Sequence, residues 1–169
     1  MKKGHQFLVG RLRNLDQDIN TTDSTKNYNT ALQQAAGIGD TQLVEVLLNH
    51  GANINQNDNN LQSALYKAAR KGHTAVVRVL LAHKVSIDLV DKNEITMLFV
   101  AIQNNNFDIV TLLVDNGADI NVIVNDGKAA PLYIAAVKGH LSVVEALIAA
   151  GANIDLAMLT GIYSAYCGS

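Results

Sequence analysis

The chain has 169 residues, 49% of them hydrophobic and 17% charged, with a formal net charge of −2 at pH 7. That composition is globular and sufficient for one domain, and the near-neutral balance removes the electrostatic case for nucleic acid or an anionic membrane surface. A lone cysteine, Cys167, excludes an internal disulfide and fits a reducing, cytoplasmic setting, while the short apolar run at 7–9 is no signal-peptide core and no stretch is long enough for a membrane span.

In chain order, the first predicted element is a helix in the N-terminal segment. Leu8-Val9-Gly10-Arg11-Leu12-Arg13-Asn14 parallels Leu43-Val44-Glu45-Val46-Leu47-Leu48-Asn49, and Asp18-Ile19-Asn20 parallels Asn53-Ile54-Asn55. Residues 1–27 therefore read as a degenerate capping half-repeat. Arg11 and Arg13 replace Val46 and Leu48, as the solvated outer face of a stack requires.

Four similar units follow, at about 28–60, 61–93, 94–127 and 128–161. Their openings are Thr30-Ala31-Leu32-Gln33, Ser63-Ala64-Leu65-Tyr66, Thr96-Met97-Leu98-Phe99 and Ala130-Pro131-Leu132-Tyr133, with leucines spaced by 33, 33 and 34 residues. Thr30, Ser63 and Thr96 are placed to cap a first helix through their hydroxyls; Ala130 cannot, but Pro131 is pre-set for the first helical position. Small pairs such as Ala35-Ala36 and Ala68-Ala69 allow close helix approach, with Ile102 a bulkier exception that should push the helices slightly apart. Gly39, Gly72 and Gly139 end the first helices, and Asn105 takes that place in the third unit.

Each second helix carries an apolar stripe, as in Val76, Val77, Leu80 and Leu81. Gly51, Gly117 and Gly151 close three of these helices; Lys84 stands at the remaining junction, in the second unit, where a left-handed backbone costs about 1–2 kcal/mol. One extra residue between Ile120 and Leu132 should bulge the fourth hairpin. After Asp155 the register is lost through Leu156, Met158, Leu159, Ile162, Tyr163 and Tyr166, and residues 162–169 read either as a C-terminal cap or as a truncated fifth repeat.

This pattern resembles the ankyrin repeat, with its 33-residue period and T-P-L-H-x-A opening. The resemblance covers about residues 28–161 and implies an all-α solenoid of helix-turn-helix units joined by hairpin-like loops. It further implies a non-catalytic protein–protein interaction scaffold without cofactor or metal, expected to be a monomer. A targeting arm of a larger enzyme or transporter, or an effector that an intracellular bacterium delivers into a host cell, are the alternative settings.

Candidate chemistry dissolves into the repeat. His73 and His140, and likewise His50 and His83, occupy equivalent positions on different units, which argues against a shared metal site. Tyr66, Phe99 and Tyr133 replace the family's histidine and are expected to pack. Asn121 resembles hairpin asparagines hydroxylated in ankyrin proteins of animal cells; the alternative is that it merely stabilises its own turn.

The family's concave surface, formed by hairpin tips and the exposed sides of first helices, maps onto Asn27, Asn29 and Ile38 in the first unit. In the second it maps onto Asn59, Asn60, Gln62, Arg70 and Lys71; in the third onto Lys92, Asn93, Ile95, Gln103 and Asn104; and in the fourth onto Asp126, Ala129, Val137 and Lys138. Lys67, Arg70 and Lys71 share one helical face. With Lys92 they form either a basic centre suited to an acidic segment of another protein or simply the cations that a helix C-terminus favours.

Overall fold

The computed structural model describes residues 19–22, 30–124 and 129–156. Eight helices run through these residues as four pairs: α1 (Ala31–Ile38) with α2 (Thr41–Asn49), α3 (Ala64–Lys71) with α4 (Thr74–Ala82), α5 (Met97–Gln103) with α6 (Phe107–Asp115), and α7 (Pro131–Val137) with α8 (Leu141–Ala149). None is long and apolar enough to cross a membrane.

The caps follow the opening motifs. Thr30, Ser63 and Thr96 each accept the amide of the residue three positions on, at 3.2 Å. Thr30 and Gln33 complete a reciprocal capping box. Ala130 makes no such bond, and Pro131 occupies the first turn, where its missing N–H costs nothing. Left-handed backbone ends each first helix, at Gly39 (φ 79), Gly72 (φ 75), Asn105 (φ 54) and Gly139 (φ 72). At Gly39 the requirement is doubled, because a Cβ there would lie 2.8 Å from the ring of His73. Lys84 adopts φ 56 where its counterparts are glycine, the left-handed backbone considered for this junction from the sequence.

First helices pack on first helices (α1 to α3 to α5 to α7), second helices pack on second helices (α2 to α4 to α6 to α8), and the two helices of each pair touch. Such a stack buries a continuous core, because each amphipathic pair covers its neighbour's apolar stripe. The core runs from Leu32 to Ala152, and the repeat-equivalent Leu47, Leu80, Leu113 and Leu147 are all fully buried. Ile102, in place of an alanine, is buried as well.

A second register of contacts joins the hairpins. The Oδ1 of Asn20 accepts the amide of Asn53 at 2.6 Å, and Asn55 accepts that of Ser86 at 2.9 Å. Asp88 and Asn121 repeat the contact with the amides of Asp119 and Asn153, at 3.1 and 2.8 Å. Every acceptor occupies the same repeat position, and so does every donor. Asn20 carries this ladder back into the N-terminal segment, and Ile19 packs against the core beside it. Residues 1–18 and 157–169, with most of the expected N-terminal cap and all of the C-terminal one, lie outside the described residues. So do residues 125–128 in the fourth hairpin, which Val124 and Ala129 bracket through an antiparallel bridge.

Candidate partner-binding face

The position that follows the leucine of the first three opening motifs couples a first helix to the next hairpin, by different chemistry each time. Gln33 donates to the carbonyls of Gln56 and Gln62 at 2.7 and 3.2 Å. Tyr66 donates its hydroxyl to Asp91 Oδ2 at 3.0 Å. Phe99 is buried against Val124 and Ala129, with Tyr133 packed on that cluster. The aromatic residues pack as expected, and Tyr66 in addition keeps a hydrogen-bonded tie. Burial, then the hydrogen bond to Asp91 and that carboxylate's charge, push the Tyr66 hydroxyl up to about 12.

Asp58 and Asp91 organise the second and third hairpins. Asp58 Oδ1 accepts the amides of Asn60 and Gln62 at 2.8 and 3.0 Å, and Asp91 Oδ1 accepts those of Asn93 and Ile95 at 2.9 and 3.1 Å. These bonds tie down the backbones of four of the residues that sequence reading assigned to the face. The second carboxylate oxygens diverge: that of Asp91 meets Tyr66, and that of Asp58 meets Lys67 Nζ at 2.7 Å. Burial alone would raise the Asp58 carboxyl. The bonds from Lys67 and from the amides of Gln62 and Asn60, together with the Lys67 charge, outweigh it and hold the group below its ordinary value.

Lys67 therefore differs from the free cation expected from helical spacing. Its side chain is 18% exposed and already satisfied by a fully buried carboxylate. Arg70, Lys71, Lys92 and Lys138 remain exposed. Lys92 also ties neighbouring hairpins together, its amide donating to the Asn60 carbonyl at 3.0 Å. Asn59, Asn93 and Gln103 are exposed, and Asn60 and Gln62 half-buried. Asn104 is exposed and donates to the Val100 carbonyl at 3.0 Å. Ile95 is half-buried and packs on the core, and Ala129 is buried, so neither offers an open apolar patch. Ile38 and Val137 do, at 71% and 65% exposure. Asn27, Asn29 and Asp126 lie outside the described residues.

Sequence reading missed Leu61. It is 49% exposed on the second hairpin and held at φ 58. Its counterpart Glu94, one period later, has φ 60. Neither residue type signals a left-handed backbone, so only the 33-residue register, with Asn60 and Asn93 just before, marks the position.

Charge is segregated between the two helix rows. Among the described residues, the first helices and their caps carry Lys67, Arg70, Lys71 and Lys138 and no carboxylate. The second helices carry Glu45, Asp108, Asp115 and Glu145 against Arg78 alone.

Three histidines bond main-chain carbonyls near helix ends. His50 and His83 donate through Nδ1 to the carbonyls of Val46 and Val79, at 2.7 and 2.9 Å. His73 donates to the Gly37 carbonyl at 3.1 Å. Among the described residues, no three His, Cys, Asp or Glu side chains group as a metal site would require.

The family model described as ankyrin repeats (3 copies) matches residues 1–91 and 81–158, nearly the whole chain. The chain belongs to the ankyrin-repeat family. Comparison with curated proteins finds no match. Ankyrin repeats are in general protein–protein interaction modules and are typically non-catalytic, so the exposed hairpin-and-first-helix residues of this ankyrin-repeat protein form its candidate binding face. Asn121 has a structural task on this scaffold: its Oδ1 accepts the Asn153 amide of the next repeat, and its own amide donates to Asp119 at 2.8 Å.

Proposed function

We propose that this ankyrin-repeat protein is a non-catalytic scaffold that docks an acidic segment of another protein on the face formed by its hairpins and first helices. The charge segregation carries this reading. The first-helix row presents Arg70, Lys71 and Lys138 with no helical carboxylate to neutralise them, since Asp58 has already taken Lys67. Like-signed groups on one face attract a partner of opposite sign and orient it before contact. Rigidity adds to affinity: caps, core and hairpin bonds hold the side chains in place, so little ordering entropy is lost on docking.

The test is capture of partners from cell lysate by the parent chain and by an Arg70→Glu/Lys71→Glu variant, with folding checked by circular dichroism. Both side chains are exposed, so the variant should fold as the parent does. A partner held by the parent and lost by the variant is the expected outcome. A partner held equally by both would overturn the basic face as its docking site.

A further inference from the structure

Ile38, Lys71, Asn104 and Lys138 are repeat-equivalent, as are Gly37, Arg70, Gln103 and Val137. These two rows cross the ends of all four first helices. Read along them, the exposed surface changes character in order. The first repeat offers Ile38 alone, because Gly37 adds no side chain and its carbonyl is already bonded by His73. The second offers two cations, the third two amides, and the fourth Val137 with Lys138. An apolar point therefore lies at each end of the row, with the positive charge between them and beside the second.

Resting on the reading above, we propose that the docked segment is an extended acidic peptide with an apolar residue at each end, one on Ile38 and the other on Val137. Packed helices lie about 8–10 Å apart, so three repeat steps span about 24–30 Å. An extended chain rises about 3.3 Å per residue and covers that span in about seven to nine residues. Its carboxylates then fall about three residues from the first apolar side chain, over Arg70 and Lys71, and next to the last, beside Lys138. The middle of the row favours an extended conformer over a helix. The exposed amide of Gln103 can pair with backbone N–H and C=O groups, which an extended peptide leaves open and a helix has already used internally.

The probe is a nine-residue peptide with blocked ends, Leu-Ser-Glu-Glu-Ser-Ser-Ser-Glu-Leu, measured by fluorescence anisotropy against the full chain. Two controls share its charge: one has both leucines moved together to the centre, and the other has both replaced by serine. An Ile38→Ser/Val137→Ser variant, altered only at exposed positions, reports the same contacts from the protein side. Saturable binding of the first peptide is expected, at least tenfold weaker for either control and for the variant. Equal binding of the three peptides, sensitive to Arg70→Glu/Lys71→Glu, would overturn the spaced anchors while leaving the acidic-partner reading intact. Tighter binding of a helical peptide that spreads the same groups over about 17 residues would overturn the extended conformer. No saturable binding of any peptide would also overturn this inference, and the lysate capture would then judge the broader reading separately.

Discussion

Asp58 and Asp91 show how far one residue's role depends on neighbours that the chain supplies from elsewhere. Both sit one step before a hairpin tip and both accept two amides, yet one is neutralised by a lysine of the helix that follows its hairpin and the other is bonded by a tyrosine 25 residues earlier in the chain. Asp58 is lowered below its usual value, so its favourable contribution is fully present above about 3.8 and is lost as pH falls through its folded value. In an acid series of urea unfolding curves, the stability gap between the parent and Lys67→Met should narrow below that pH. A gap that stays constant would contradict the ion pair. Tyr66 titrates the opposite way: its contribution is complete below pH 10.0 and disappears as pH rises through about 12. Lys84 was legible from sequence because the glycine register is broken there, and its φ of 56 bears the expectation out. Lys84→Gly should raise stability by about 0.5–1 kcal/mol, as relief of left-handed strain exceeds glycine's extra freedom in the unfolded chain. Chemical denaturation measures this directly.

At the scale of the element, each helix pair follows from short-range rules. A hydroxyl or proline starts the first helix, a left-handed residue ends it, and an apolar stripe faces inward on the second. These signals are local, so the sequence displays them. Leu80 lies on the buried stripe of α4 with no exposed surface. Truncation to alanine should cost about 2–5 kcal/mol, because the stack closes only partly around the cavity. A melting temperature equal to the parent's would remove Leu80 from the core. The hairpin ladder was less legible. Asn20, Asn55, Asp88 and Asn121 read as turn formers for their own loops, whereas their Oδ1 atoms accept amides 31 to 33 residues further on.

Over the whole molecule, two rows of helices share one core and differ in charge. That difference could be counted in the sequence once the helices were placed, but its consequence needed the packing. The α3 cations read as one block of three. In the structure Lys67 is withdrawn into a hairpin, leaving Arg70 and Lys71 as the exposed pair. The same packing sorts the apolar candidates: Ile95 turns to the core, while Ile38 and Val137 stay in solvent. The proposed face is thus narrower than the set of residues the repeat register assigns to it, with its charge concentrated on the second repeat.

By itself the sequence determined the period, the all-α pairing, the caps, the buried leucines and the family, because each recurs from unit to unit and rests on contacts within a helix or at its ends. It nominated residues for the proposed face, since position within a repeat sets direction. Only the tertiary structure decided which of them remain available. That depends on pairings across a hairpin or between successive repeats, such as Lys67 with Asp58 and Tyr66 with Asp91, which differ from one repeat to the next. A periodic pattern carries no record of such pairings, because they are made where the repeats are not alike.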